Sequence, residues 1–171
     1  NRSFVDYQNA AGGIKASLSE TSTVTGDSSV GTDTLVRIDG IKGSEFDDVF
    51  VADKSFRDVA GGKSIRIEGR GGDDTIIGNG STKAFYRSAN AAVTVDLATG
   101  VAQGTDAGDV AGIGTDTLSG VDRIVGSGFD DTLLGSDIDD REEFSGGAGD
   151  DYIDGRGGWD RASYLMDDAG V

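Results

Sequence analysis

The chain contains no cysteine, no histidine and no proline, and each absence removes a class of function or structure. Without cysteine and histidine there is no disulfide, no thiol nucleophile, no imidazole base and no usual zinc ligand. The lack of proline suits uninterrupted strand ladders, because proline cannot donate a backbone hydrogen bond. No apolar run approaches the ~20 residues that span a membrane, and no signal peptide is visible. If the protein is exported, we expect its signal to lie outside this chain.

Positive charge is also scarce, since 15 basic residues face 31 acidic ones and the net charge is −16. Of the acidic residues, 26 are aspartate and 5 are glutamate. Aspartate favours turns, whereas glutamate is a good helix former. We therefore expect the acid in turns and metal sites and not on a helix face. The negative charge argues against nucleic acid and anionic membrane surfaces as partners.

A glycine- and aspartate-rich nonapeptide is the most informative motif. Residues 146–154 fit Gly-Gly-x-Gly-x-Asp-x-U-x at every fixed position, where U is apolar, and looser copies begin at Gly69, Gly126 and Gly155. This is the signature of calcium-binding β-helix repeats. The glycines allow sharp turns and exposed carbonyls, and the aspartate supplies the hard oxygen that Ca²⁺ prefers. Ca²⁺ is therefore the expected cofactor.

The nonapeptides are part of a longer sequence repeat of about 80 residues. Residues 31–35 recur as 114–118, offset by 83, and the tyrosines at 7, 86 and 164 recur at intervals of 79 and 78. The chain thus resembles a section of a longer tandem array. We expect four segments: the end of a preceding repeat (1–6), a first repeat (7–85), a second repeat (86–163) and the start of a third (164–171).

Alternating apolar residues predict strands with one buried face. Val93, Val95 and Leu97 alternate with polar residues, and residues 14–18 do the same in the first repeat. Clusters of Gly, Ser, Thr and Asp separate such runs. Residues 53–60 are the closest approach to a helix and have little apolar periodicity. We expect an all-β fold.

At this level the chain resembles the RTX (hemolysin-type calcium-binding repeat) family, the repeat regions of bacterial proteins exported by type I secretion. The nonapeptides carry the likeness, and the Val-x-Val-x-Leu, Asp-Thr-Leu and Gly-Ser-x-Phe-Asp-Asp elements resemble the segments that link nonapeptide blocks in large RTX proteins. The resemblance implies a right-handed parallel β-roll or β-helix solenoid with Gly/Asp-rich calcium-binding turns. It also implies a calcium between each loop and the loop one full turn later, held by the sixth-position aspartate and backbone carbonyls.

Applied to the second repeat, the resemblance implies that Asp131 pairs with Asp151 on one side of the solenoid and that Asp140 pairs with Asp160 on the other side. Both spacings are 20 residues, two more than the family's 18, so we expect a small insertion within 138–143.

In the first repeat, Asp48 and Asp74 hold the sixth position, whereas Arg66 stands where an aspartate is expected. A guanidinium pairs with carboxylates and cannot bind Ca²⁺. We therefore hypothesise that Arg66 replaces a metal opposite Asp48, while Asp58 and Asp74 hold a calcium on the other side. The expected calcium ligands are the carboxylates of Asp48, Asp58, Asp74, Asp131, Asp140, Asp151 and Asp160 and the carbonyls of Gly126, Gly128, Gly146, Gly149 and Gly155.

The same motifs allow interpretations other than calcium binding. The motifs could be metal-free turns, but stacked carboxylates repel one another unless a cation intervenes. A glycosidase carboxylate pair is disfavoured, because the motif repeats and an active site is usually unique. Trp159 is a plausible exposed aromatic contact, whereas the recurrent tyrosines suggest packing between turns.

We expect a non-enzymatic segment that folds on Ca²⁺ binding outside the cell. Its expected role is a structural spacer of a secreted or cell-surface adhesin, surface-layer or filament protein. The alternatives are a carbohydrate-binding module and the carrier region of a secreted toxin or enzyme. Expected partners are calcium ions and neighbouring repeats, with surface glycans or other copies of itself as further candidates, but no nucleic acid and no membrane span.

Overall fold

The structure, a computed structural model, describes residues 3–56 and 64–164 of the chain. Within these ranges the protein consists of seventeen short strands and has no helix. The first nine strands are β1 (Phe4–Asp6), β2 (Lys15–Leu18), β3 (Thr21–Thr25), β4 (Thr32–Val36), β5 (Gly40–Lys42), β6 (Val49–Ala52), β7 (Ile65–Glu68), β8 (Thr75–Ile77) and β9 (Thr82–Phe85). The others are β10 (Val93–Asp96), β11 (Val101–Gly104), β12 (Thr115–Ser119), β13 (Arg123–Val125), β14 (Thr132–Leu134), β15 (Glu143–Ser145), β16 (Tyr152–Asp154) and β17 (Arg161–Ala162).

The strands form two sheets. A seven-stranded sheet has the order β1-β5-β7-β9-β13-β15-β17, and all its pairs are parallel. A ten-stranded sheet has the order β16-β14-β10-β11-β12-β8-β6-β2-β3-β4. The prediction of an all-β fold with parallel strands is confirmed.

The ten-stranded sheet also contains two antiparallel meanders, β2-β3-β4 and β10-β11-β12. A wholly parallel fold was expected, and these segments depart from it. The reason is chain length: only Ser19 and Glu20 separate β2 from β3, and a parallel connection needs a dozen or more residues.

Outside the meanders the chain alternates between the sheets, and most strands pair in parallel with the next strand of the same sheet, as β6 does with β8 and β9 does with β13. One core fills the space between the sheets. The seven-stranded sheet contributes side chains such as Ile67 and Phe144, and the ten-stranded sheet contributes Phe50 and Leu133. Burial alternates along strands such as β3 and β12, so that one face of each strand lies inside.

The segments 7–85 and 86–163 each contain, within the described residues, eight strands with the same order of sheet membership. The repeat boundaries themselves stay a prediction. The described ranges contain no helix long and apolar enough to cross a membrane.

Candidate metal site in the stacked aspartate turns

The turns between the two sheets that are rich in glycine and acidic residues fall into two sequence classes. Serine turns have serine as their second residue, and glycine turns have three glycines and no serine. The serine turns are residues 43–48, 126–131 and 135–142. The glycine turns are residues 69–74, 146–151 and 155–160. Within the described residues there are three stacked pairs of one serine turn and one glycine turn: 43–48 with 69–74, 126–131 with 146–151, and 135–142 with 155–160.

In a serine turn the carboxylate is saturated with hydrogen bonds. Asp131 Oδ1 accepts from the Ser127 hydroxyl at 2.7 Å and from the Val93 amide at 2.8 Å, while Oδ2 accepts from the Ser127 amide. Asp48 repeats the pattern with Ser44 and Ile14. Burial nevertheless raises the pKa of both carboxyls. The protein itself fills the acceptor sites of these two groups.

In a glycine turn one carboxylate oxygen lacks such donors. Asp74 Oδ1 accepts from the Asp48 amide at 2.8 Å, but Asp74 Oδ2 is buried and accepts no hydrogen bond within the described residues. In the serine turns the equivalent Oδ2 accepts from the serine backbone amide, and no such bond reaches Asp74 Oδ2. A Cβ added at Gly69 would overlap this oxygen, so glycine is needed for the carboxylate to fold back against its own turn.

The column of carboxylates continues into the second repeat. The Asp74 amide donates to Asp116 Oδ1 at 3.0 Å, and Asp48, Asp74 and Asp116 are each 1 % exposed. Burial, followed by the charge of Asp116, raises the pKa of Asp74 to about 9. Burial likewise raises the pKa of Asp116 to about 7. Three carboxylates in one buried column need a counter-charge or a proton.

Tyr86 closes this column at its Asp116 end. Its hydroxyl is buried beside Asp116 in a geometry that falls short of an ordinary hydrogen bond. Burial and that neighbouring carboxylate raise the pKa of Tyr86. Sequence reasoning missed the pairing, although the two 83-offset Gly-Thr-Asp-Thr-Leu runs and the recurring tyrosines were its signal.

A second set of aspartates stacks on the solvent side. The Asp73 amide donates to Asp47 Oδ1 at 2.9 Å, and the Asp150 amide donates to Asp130 Oδ1 at 2.8 Å. All four residues are exposed. Each of these two turn pairs therefore presents two inner and two outer carboxylates.

The predicted stacking of Asp131 on Asp151 is confirmed, because the Asp131 amide donates to Asp151 Oδ1 at 3.0 Å. Gly126 lies against Asp131 and the Gly146 carbonyl, and Gly146 lies against Asp151. The predicted metal-ligand role of these residues stays a prediction.

The remaining predicted glycines differ in their surroundings. Gly149 has a φ of 117° and presses on the backbone of Phe129, which a side chain would prevent. Gly155 lies against Asp160, as the other glycine turns lead one to expect. Gly128 faces open space.

The predicted pairing of Asp140 with Asp160 is wrong. Asp160 Oδ1 accepts from the amide of Glu142 at 3.1 Å, and Glu142 in turn accepts from the Ser136 hydroxyl at 2.6 Å. Glu142 therefore holds the sixth-position role, at a spacing of 18 residues from Asp160. The predicted insertion is present, because this serine turn is two residues longer than 126–131. Asp140 is exposed on it, with its carbonyl beside Gly158.

The predicted exchange of a metal for Arg66 opposite Asp48 is also wrong. Arg66 lies in β7 of the seven-stranded sheet, in register with Gly40 and Lys83. Asp74 stacks on Asp48 instead. The other predicted member of the first-repeat pair, Asp58, lies outside the described residues.

The donor set can be tested for its fit to Ca²⁺. Across the described residues, no three acidic side chains converge as a ready-made metal site. The glycine turns do offer hard oxygen donors, including the unpartnered buried Asp74 Oδ2, next to carbonyl-rich backbone. The Asp48 and Asp131 carboxylates fit less well, because amides and hydroxyls already occupy their oxygens.

Two of the three recurrent tyrosines are buried as expected, Tyr7 and Tyr86, but Tyr164 is 90 % exposed and does not pack between turns. Trp159, in a glycine turn, is 84 % exposed. Comparison of the chain with protein-family models and with curated proteins finds no match.

Proposed function

We propose that the chain is a non-enzymatic calcium-binding segment of the RTX type, in which Ca²⁺ binds at the glycine turns and drives folding. The observation that carries the proposal is the buried Asp74 Oδ2 without a hydrogen-bond donor. A buried polar atom of this kind costs stability unless a partner is supplied. Ca²⁺ is the partner that suits a carboxylate in a glycine-rich turn.

The two turn classes imply how many calcium ions bind. Asp74, Asp151 and Asp160 each lie in a glycine turn that stacks on a serine turn, through the amides of Asp48, Asp131 and Glu142 respectively. The proposal assigns one calcium to each of these three pairs. The serine-turn carboxylates position the neighbouring strands instead.

A right-handed parallel β-roll is part of the proposal. The alternation of the chain between two sheets supports it, as does parallel pairing with the strand two places later. The antiparallel meanders are insertions that interrupt the roll once in each repeat.

Calcium binding couples to folding through charge. With a net charge of −16 and stacked carboxylates, the calcium-free chain repels itself. Extracellular calcium modules typically have a Kd of about 10⁻⁴–10⁻³ M, so cytosolic calcium would leave the sites empty. Each site filled at 100 times its Kd adds about 2.7 kcal/mol to folding. This suits export in an unfolded state and folding as a spacer of a secreted or cell-surface protein.

The test is a calcium titration followed by circular dichroism, with chelator reversal and bound calcium counted by equilibrium dialysis. We expect β-structure to appear with calcium and to be lost in chelator. Asp151→Asn should lose one bound calcium, whereas Ser127→Ala should keep the full count while unfolding more easily. Complete β-structure in excess chelator, or an unchanged count in Asp151→Asn, would contradict the proposal.

A carbohydrate-binding module is the second candidate, and the 84 % exposure of Trp159 is the observation that favours it. Glycan-array binding that Trp159→Ala abolishes would support this function. A carrier region of a secreted toxin or enzyme would be recognised by a catalytic domain in the flanking sequence.

A further inference from the structure

We infer that the calcium ion held by Asp74 is shared between the two repeats, with Asp116 of the second repeat as its second carboxylate ligand. The inference rests on the proposed function and extends it, because Asp116 lies in β12, outside the glycine and serine turns. The hydroxyl of Tyr86 would close the same site. Calcium would then hold the second repeat against the first as well as fill a turn.

The serine-turn neighbour of Asp74 is already occupied by hydrogen bonds. Asp48 Oδ1 accepts from the Ile14 amide at 2.7 Å and from the Ser44 hydroxyl at 2.9 Å, and Oδ2 accepts from the Ser44 amide at 2.7 Å. To bind Asp48, Ca²⁺ would have to displace these donors, and a buried donor left without an acceptor costs stability. The second carboxylate of the site must therefore come from the other side of Asp74.

Asp116 is the neighbour of Asp74 on that other side. Its Oδ1 accepts from the Asp74 amide at 3.0 Å, and both residues are 1 % exposed. Unlike Asp48, Asp116 receives no hydrogen bond from a serine within the described residues. Two adjacent buried carboxylates repel each other strongly unless a cation lies with them. Asp116 is thus open to a cation, whereas Asp48 is not.

Two buried oxygens at this junction have no hydrogen-bond partner within the described residues, Asp74 Oδ2 and the hydroxyl of Tyr86. Tyr86 is 3 % exposed, and its hydroxyl points to the side of Asp116. In the first repeat the equivalent pair makes an ordinary hydrogen bond, since the Tyr7 hydroxyl donates to Asp33 Oδ2 at 2.9 Å. A cation between Asp74 and Asp116 would give both unpartnered oxygens the partner that they lack.

The backbone of the junction encloses this place. Strand β8 pairs in parallel with β12, and the Thr117 amide donates to the Asp74 carbonyl at 2.8 Å. Gly114, at a φ of 64°, lies directly over the Gly72 carbonyl, where a side chain would clash. Backbone carbonyls of such turns are hard oxygens that suit Ca²⁺. An ion held here would be sealed between the repeats, so its binding would be coupled to the docking of β12 on β8.

The test counts bound calcium by equilibrium dialysis of the whole chain and follows amide hydrogen exchange at the junction. Asp116→Asn keeps an oxygen that can accept from the Asp74 amide but loses the charge, so we expect it to bind one calcium fewer than the wild type. The Thr117 amide should lose its calcium-dependent protection. The Gly135 amide, which donates to the Asp154 carbonyl at 2.8 Å within the second repeat, should keep its protection.

Two matched controls remove the same charge elsewhere. Asp33→Asn changes the equivalent Gly-Thr-Asp-Thr-Leu run of the first repeat, and Asp109→Asn changes an exposed aspartate whose charge acts on Asp116. Both variants should keep the wild-type calcium count. Tyr86→Phe removes only a hydroxyl, so it should fold and should weaken calcium binding at one site by about tenfold. This variant decides the matter if Asp116→Asn fails to fold, which circular dichroism would reveal.

Failure of the inference and failure of the proposed function give different results. If Asp74→Asn loses one calcium while Asp116→Asn keeps the wild-type count and Tyr86→Phe keeps the wild-type affinity, the ion belongs to the glycine turn alone and the inference is wrong. A buried water beside Tyr86 in place of the ion would give that result. Loss of a calcium in Asp109→Asn as well would also overturn it, because charge alone would then explain the effect. A wild type that binds no calcium would refute the proposed function itself.

Discussion

Replacing Asp74 by asparagine should stabilise the calcium-free protein while removing a calcium site. The side chain keeps its shape, and its oxygen can still accept from the Asp48 amide at 2.8 Å. What changes is the charge. With a pKa raised to about 9, mainly by burial, Asp74 has to take up a proton when the calcium-free chain folds at pH 7.

The magnitude follows from that proton. Between the ordinary pKa of 3.8 and pH 7 there are about 3 pH units, each worth about 1.4 kcal/mol. Protonating Asp74 therefore costs folding about 4 kcal/mol at pH 7. Asp74→Asn avoids that cost, so the gain in chelator should approach it at pH 7 and should shrink to about 1.5 kcal/mol at pH 5.

The assay is urea unfolding in chelator, with sucrose present to populate the folded state, and again in saturating calcium. Asp106→Asn is the control, since it removes the same charge from an exposed loop residue. We expect Asp74→Asn alone to be more stable in chelator and less responsive to calcium. A variant that is destabilised in chelator, or one whose calcium response equals the wild type's, would refute the reasoning.

Three further predictions concern turn packing and pH. Gly126→Ala should destabilise the protein by about 1–3 kcal/mol in thermal unfolding, because its Cβ would overlap Asp131 and meet the Gly146 carbonyl. The control Gly128→Ala should change the free energy of unfolding by no more than about 0.5 kcal/mol, since Gly128 faces open space. Equal effects of the two substitutions would contradict this prediction. Ser127→Ala should cost about 1.5–3 kcal/mol in urea unfolding, because it removes a donor to a buried carboxylate; an unchanged midpoint would count against the assigned bond. In chelator, the free energy of unfolding should rise as the pH falls from about 9 towards 4, because the folded state binds more protons than the unfolded state in this range. The rise should be about 1.4 kcal/mol per pH unit for each proton taken up. A free energy of unfolding that does not change with pH would contradict the raised carboxyl pKa values.

Alternating apolar residues, a local signal, predicted the all-β fold, and the resemblance to the RTX family implied the stacking of Asp131 on Asp151. Sequence reasoning misassigned Asp140, since a two-residue insertion shifts the sixth-position role to Glu142 and spacing alone cannot place an insertion. It did not find Asp116, whose role arises only when the second repeat folds onto the first.

The sequence shows which turns contain serine and which contain only glycine, but it does not show that the two kinds of turn bind their aspartates differently. Ser44 and Ser127 look like ordinary turn residues until the structure shows each donating twice to its own turn's aspartate. The serine amide thus satisfies Oδ2 of Asp48 and Asp131, whereas Asp74 Oδ2 in a glycine turn has no hydrogen-bond donor among the described residues. The apparent series of equivalent loops divides into two kinds of turn that stack on each other in pairs.

The most direct test of calcium binding at the glycine turns uses terbium, which substitutes for Ca²⁺ and luminesces when a nearby tryptophan is excited. Trp159 is the chain's one tryptophan and lies next to Asp160 in a glycine turn. The account predicts calcium-displaceable terbium luminescence in the wild type, its loss in Asp160→Asn and its retention in Asp140→Asn. No luminescence in the wild type, or loss in Asp140→Asn with retention in Asp160→Asn, would contradict it.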